Sequence, residues 1–283
     1  MPELPEIESL RRSLRTAIHG ATVLDGGMRR HDMLHRAPGA PADPLAVGDR
    51  VLELHRKGKQ LVLEMRSGSC LLLHLGMSGS IRVCRGTTEL ESHVHAVWRL
   101  RRGKETVSLR HRDPRRFGWL ESHASMRSVH THAWSALGPD ALEISSEHLA
   151  ASLRGSSRPL KSLLLDQSRI AGLGNIYVDE ILFRAGLHPE CPSHRVPPGV
   201  VTRLAQVARQ VLAHAVELGG STIRDHRTVD GGWGSFQDEH RVYGRAGLPC
   251  RLCGTPLRTK QVSQRTTVFC GHCQTRRPQE GRA

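Results

Sequence analysis

Four cysteines near the C-terminus stand as two pairs, Cys250-x2-Cys253 and Cys270-x2-Cys273. Each Cys-x-x-Cys turn presents two thiolates to one ion, and zinc prefers four such ligands in a tetrahedron. The spacing matches a four-cysteine zinc pattern, whereas one pair alone could be a redox dithiol. Four protein ligands leave no open position, so one structural Zn2+ is expected. Between the pairs, TPLRTKQVSQRTTVFC alternates as two strands would. Arg258, Lys260 and Arg265 would then project from a zinc-pinned hairpin. So small a hairpin buries no core of its own, and metal binding should supply its folding free energy. Cys70, Cys84 and Cys191 lack such spacing and read as packing residues. His93-x-His95 is a poor metal candidate, two imidazoles on one strand face with no further ligand near.

The opposite end reads MPELPE. With Met1 removed, Pro2 carries a free secondary amine, which attacks an electrophile only when neutral. A terminal amine of pKa ~7.7–8.0 is ~10% neutral at pH 7, against ~0.04% for a lysine near ~10.4. A following helix N-terminus would lower the pKa further, while Glu3 and Glu6 push the other way. A secondary amine forms an iminium with a sugar aldehyde carbon directly, and the adjacent Glu3 could serve the same centre as acid or base.

These groups need elements to hold them. Ile7, Leu10, Leu14 and Ile18 recur at helical spacing, and Pro5 suits a helix start. From 51 to 121 the chain reads as strands: VLELH, QLVLEM, CLLLHL, SIRVC, HAVWRL and TVSLR, broken by KGK, SGS, GMSG and RRGK. Regular short strands with Gly-rich turns predict a β-sandwich or barrel. Periodicity is lost from 122 to about 140, and helical patterns follow in SEHLAASLR, RPLKSLLLD, NIYVDEILFRAG and VVTRLAQVARQVLAHAVELGG. Residues 219–240 hold five glycines and little periodicity, which reads as a loop long enough to be functional. Three domains are expected: 1–130, 131–240 and 241–283. The fold class is α+β and multidomain.

Lys and Arg total 41 against 27 acidic residues, a net charge of +14 and a pI near 10.5. That surplus points to a polyanion, nucleic acid before membrane. No run of 18 apolar residues and no apolar signal core occur, so neither a transmembrane helix nor export is expected. A cytosolic, reducing address follows, which again favours metal ligation over disulfides for clustered cysteines.

MPELPE, KGKQ, HLGMSGS, DPRRFG, GLGN and the four-cysteine hairpin occur here in one order. Together they resemble the formamidopyrimidine-DNA glycosylase family (Fpg, also called MutM, of the wider Fpg/Nei group) over nearly the whole chain. The resemblance implies an N-terminal β-sandwich with its helix, a helix-two-turn-helix module and a zinc finger. It implies a monomeric, bifunctional DNA glycosylase and AP lyase of base excision repair. The substrate would be duplex DNA carrying 8-oxoguanine, formamidopyrimidines or abasic sites, and the enzyme would sit with the nucleoid. By resemblance, Pro2 is the nucleophile, Glu3 protonates the opening sugar, Lys59 transfers protons in β-elimination, and Arg265 serves the second elimination. Lys57 is an equally charged rival to Lys59, on the same strand face two residues away. Chemistry at C1′ requires the nucleotide to leave the stack. Met77, Arg115 and Phe117 match the family's void-filling residues, a thioether and a ring replacing lost stacking while a guanidinium meets the orphaned cytosine. His93, Lys161 and Arg115 match its DNA contacts. GLGN lets the amides of Gly174 and Asn175 meet a phosphate at a helix start, though Gly and Asn also cap helices. The segment at 219–240 resembles a lesion-capping loop.

Two alternatives compete. Endonuclease VIII shares the Pro-Glu start and the zinc hairpin but usually reads PEGPE and lacks the Met and Arg-x-Phe fillers. PELPE, GMSG and DPRRFG favour the purine-specific branch. A non-catalytic zinc-dependent nucleic-acid binder would not need Pro2, Glu3 or Lys59, and all three are present.

Overall fold

The protein is described here by a computed structural model that covers residues 2–86, 89–221, 232 and 234–278. Two compact units form, one of residues 1–136 with 216–235, the other of residues 137–215 with 236–283. The first begins with helix α1 (Leu4–Ile18) and continues through β1 (Thr22–Met28), β2 (Leu34–Arg36), β3 (Val51–Lys57), β4 (Gln60–Met65) and β5 (Cys70–His74). It ends with β6 (Ser80–Arg85), β7 (Val94–Arg102), β8 (Glu105–Arg112), β9 (Trp119–His123) and the short α2 (Met126–Ser128). The strands make one sheet in the order β1-β7-β8-β6 and another in the order β2-β9-β5-β4-β3. All neighbours are antiparallel except β2 and β9.

Both sheets and α1 bury side chains in one apolar cluster, including Ile7, Leu10, Leu14 and Ile18 from the helix, Leu61 and Leu63 from one sheet and Trp98 and Leu109 from the other. This is the expected sandwich, closed by the apolar stripe of α1. Each such leucine or isoleucine contributes roughly 1.5–3 kcal/mol by leaving water. The six strand runs read from sequence are all strands. β1, β2 and β9 correspond to none of these runs. β1 contains Gly26 and Gly27, poor strand formers, yet a Cβ at Gly26 would lie 2.2 Å from the Val97 carbonyl oxygen. Glycine there permits the pairing with β7 that makes it a strand.

The second unit contains α3 (Ser146–Leu153), α4 (Leu160–Leu164), α5 (Asn175–Arg184) and most of α6 (Pro198–Glu217), then the hairpin β10 (Arg258–Val262) and β11 (Arg265–Phe269). These helices match the four helical patterns. Ser263 and Gln264, both at positive φ, form the two-residue turn that suits a right-twisted hairpin. Phe183 of α5 shares a small cluster with Leu257, Val268, Cys250 and Cys270, so the hairpin is seated on α5 as well as pinned by its cysteines. Glu180 on the same helix, fully buried, accepts the backbone N–H groups of Arg241, Val242 and Tyr243. Among the described residues no helix is long and apolar enough to cross a membrane. Most of the segment read as a lesion-capping loop, residues 222–231 and 233, lies outside the described residues.

Candidate active site and metal centre

Pro2 and Glu3 precede α1 directly, and both are buried. Glu3 is the N-cap, and its N–H donates to Glu6 Oε2 at 2.7 Å, the return half of a capping box. The other oxygen of Glu6 accepts the Ser221 N–H at 2.7 Å. A Cβ on Gly220 would come within 2.4 Å of that oxygen, so glycine, at φ +79°, allows the approach. Glu6 therefore ties the chain's start to the first residues after α6. Sequence reading weighed Glu6 only as a nearby charge; its Ser221 partner, 215 residues away, could not be read locally.

The path of α1 across β3 brings Lys59 into the same neighbourhood. Arg15 pairs with Glu53, Arg11 donates to the Leu54 carbonyl, and Arg56 pairs with Glu8. As the helix residue number falls, the strand number rises, so the two run antiparallel, with the N-terminus of α1 toward the end of β3. Lys59 lies there, in the two-residue turn between β3 and β4. It does not share a strand face with Lys57, which corrects the sequence reading: Gly58, at φ +56°, closes a tight turn. Lys57 sends its ammonium to the Trp134 carbonyl at 3.2 Å. Arg56 also donates to the Gly58 carbonyl at 3.1 Å, so the guanidinium that holds α1 also holds the turn. Burial raises the Glu8 pKa, but the guanidinium groups of Arg11, Arg12 and Arg56 outweigh it and bring it down to about 2. Burial, with the Lys59 ammonium near, holds His74 below its ordinary range.

Met77, Arg115 and Phe117 stand on exposed turns of this unit. Met77 is 43% and Phe117 52% exposed, which excludes core packing for either. The Arg115 guanidinium lies 4.5 Å from the centre of the Phe117 ring. His93 is also exposed, at φ +66° just before β7, whereas His95 is buried within β7. The two imidazoles therefore do not share a strand face.

In the second unit, Arg265 is exposed at the start of β11 beside the hairpin turn. Asn175 opens α5, and its amide donates to the Thr266 carbonyl at 3.0 Å. Lys161 of α4 is fully buried, with Nζ 2.6 Å from Asp179 Oδ1. Asp179 accepts the Val268 N–H at its other oxygen, 3.1 Å away. Burial pushes the Asp179 carboxyl above its ordinary range, against the pull of Lys161. Lys161 thus braces α4 and α5 against β11, the strand that carries Arg265.

The four cysteine Sγ atoms lie within 4.8 Å of one another, the one such group of metal-ligating side chains among the described residues. Cys250 and Cys273 are 3.9 Å apart, Cys253 and Cys270 3.5 Å. A zinc tetrahedron with ~2.3 Å bonds has sulfur–sulfur edges of about 3.8 Å, so the set fits one ion. The N–H groups of Leu252 and Cys273 point to Cys250 and Cys270 sulfurs at 3.4 Å, as thiolates would require.

Three family descriptions match in turn: the formamidopyrimidine-DNA glycosylase N-terminal domain over residues 1–120, its H2TH domain over 136–227, and the zinc finger found in FPG and IleRS over 247–276. The formamidopyrimidine-DNA glycosylase of Acidovorax sp. (strain JS42) is 44% identical, covering 97% of this chain and 99% of its own. This chain belongs to the formamidopyrimidine-DNA glycosylase family. The MutM (FPG) protein of Thermus thermophilus superposes with a TM-score of 0.83 at 41% identity, covering 96% of this chain and 98% of that one. A mutant of Lactococcus lactis FPG bound to Fapy-dG-containing DNA gives 0.86 at 30% identity, with 96% and 99% covered. Membership of the glycosylase family makes this an enzyme of DNA base excision repair with one structural zinc.

Proposed function

We propose that this glycosylase excises oxidised purines, 8-oxoguanine and formamidopyrimidines, from duplex DNA and then cleaves the strand as a lyase. The observation that carries the reading is the antiparallel ladder from Arg15–Glu53 to Glu8–Arg56, which directs Pro2 and Glu3 toward the turn holding Lys59. With Met1 removed, the neutral Pro2 amine attacks C1′, the base leaves with the bonding pair, and the proton shed by the nitrogen neutralises the departing base. Glu3 gives a proton to the ring oxygen as the sugar opens, and the nitrogen lone pair completes the iminium. The iminium then serves as the electron sink. Loss of a proton from C2′ and departure of the 3′ phosphate constitute β-elimination, for which Lys59 moves the proton. A second elimination releases the 5′ phosphate, and Arg265 serves there. Met77, Arg115 and Phe117 fill the vacated stack, and His93 and Asn175 contact DNA. Zinc when bound holds the hairpin that carries Arg265 and takes no chemical step. The enzyme acts as a monomer in the cytoplasm, at the nucleoid.

Borohydride trapping on a duplex with 8-oxoguanine opposite cytosine, beside a dihydrouracil duplex, tests this. An adduct mapped to a terminal Pro2 and strongest on the purine lesion is expected. An adduct on the pyrimidine lesion alone would move the substrate to the endonuclease VIII class. Lesion binding with no adduct and an intact Met1 would leave a damage binder.

A further inference from the structure

Asp113, in the DPRRFG turn, is fully buried and has no role in the mechanism above. Its Oδ1 accepts the Ser78 hydroxyl at 2.5 Å and the Arg115 N–H at 3.3 Å, and its Oδ2 accepts the Gly118 N–H at 2.8 Å. Ser78 follows Met77 in one turn. Arg115 and Gly118 bracket Phe117 in the other. Ser78 Oγ in turn accepts the Arg115 N–H at 3.2 Å, so the carboxylate and hydroxyl join both turns. The Asp113 backbone adds a third strand of contact: its N–H donates to the His93 carbonyl at 3.0 Å, and its carbonyl faces His95 Nε2 at 2.9 Å.

Two features indicate that this arrangement is held against a cost. Arg116 and His93 both sit at positive φ, +54° and +66°, a conformation that costs non-glycine residues roughly 1–2 kcal/mol. A Cβ at Gly76 would lie 2.4 Å from the Phe117 backbone, so the turns touch main chain to main chain. Above this buried carboxylate stand exposed Met77 and Phe117, with Arg115 stacked on the ring. Fixing such side chains before binding removes ordering entropy from the association step.

We propose that Asp113 is a positioning residue that holds Met77, His93, Arg115 and Phe117 as one preformed unit, and thereby sets how strongly the base opposite the lesion is read. The proposal rests on the void-filling reading of Met77, Arg115 and Phe117. Asparagine is the informative replacement: equal in shape, it puts an NH2 group against either the Gly118 N–H or the Ser78 and Arg115 donors.

The test compares wild type, Asp113→Asn, the double variant Arg115→Ala with Phe117→Ala, and the triple combination. Single-turnover excision of 8-oxoguanine is measured opposite cytosine and opposite adenine, with borohydride trapping on a preformed abasic site. Asp113→Asn should slow excision opposite cytosine by about tenfold, the scale of one charged hydrogen bond. It should shrink the cytosine-to-adenine preference and leave trapping at the abasic site far less affected. In the double-variant background it should add less than about twofold, since the side chains it acts through are gone. An equal loss in both backgrounds, or an unchanged partner preference, would make Asp113 merely structural and overturn the proposal. If the double variant itself keeps wild-type rates and preference, the void-filling reading fails and the proposal falls with it. Should Asp113→Asn not fold, Ser78→Ala removes one donor from the Met77 turn. It should move the preference the same way by about threefold, and no movement would overturn the proposal.

Discussion

Two lysines two residues apart illustrate how side-chain identity underdetermines role. Lys57 ends β3 with its ammonium on the Trp134 carbonyl. Lys59 occupies the turn toward which α1 directs its N-terminus. Lys59→Ala should therefore keep a trappable adduct while slowing strand cleavage by on the order of 10²-fold, the usual range for one proton-transfer group. Lys57→Ala should change the ratio of adduct to cleaved strand by less than about twofold. Quantifying both products on one gel decides between them, and a reversed pattern would exchange the assignments. Glu3→Gln should slow base release by ~10²–10⁴, with the preformed abasic site as control. If release and abasic-site cleavage fall together, Glu3 does more than protonate the opening sugar.

Between elements, buried carboxylates carry much of the positioning. Glu8 joins α1 to β3 through Arg56, and Arg56 reaches on to the Gly58 carbonyl. In the second unit, Asp179 joins Lys161 of α4 to the backbone of β11. Deleting one member of such a pair strands a buried charge, at a cost of ~3–5 kcal/mol. Lys161→Met should accordingly lower Tm by on the order of 10 °C. Combining it with Asp179→Leu should recover part of that loss, because no buried charge then remains unpaired. Thermal unfolding followed by circular dichroism checks both variants. A double variant worse than the single would mean that the Asp179 contact to Val268, not the ion pair, dominates.

For the molecule as a whole, acid and chelation should act on different parts. Burial outweighs the Asp113 charge and brings His111 down to about 4 from an ordinary 6.5. Burial likewise lowers His74, His123, His188 and His240. Below about pH 6.5 the unfolded chain takes up protons that the folded one refuses, so stability falls as pH drops from there toward about 4. The depressed carboxyl of Glu8 adds stability above its ordinary value near 4.5, and that contribution is lost as pH falls toward about 2. Denaturant midpoints should thus decline in two stages, and His111→Leu should flatten the first; an unchanged slope would contradict its burial as a neutral ring. Chelating the zinc at neutral pH should unfold the hairpin, whose few apolar residues cannot hold it alone. Duplex binding should fall with it, while the sandwich keeps its own melting transition.

Much of this was legible in local sequence because the physics involved is local. The zinc ligands follow from two Cys-x-x-Cys spacings. The face of α1 follows from helical periodicity, and the exposure of Met77 and Phe117 from their Gly- and Arg-rich turns. The family follows from short motifs whose order survives without any knowledge of contacts. What the sequence left open depends on partners far along the chain. β1 is a strand only because Gly26 lets β7 approach, and Lys59 is separated from Lys57 only by the turn that β4 imposes through pairing. Lys161 reads as a surface lysine until Asp179 and β11 close over it. Asp113, Glu6 and Arg56 look like ordinary charges until folding withdraws them from water, where each must find several donors or acceptors at once. Spacing along the chain determined which groups this protein carries, and tertiary burial decided which of them hold the others in place.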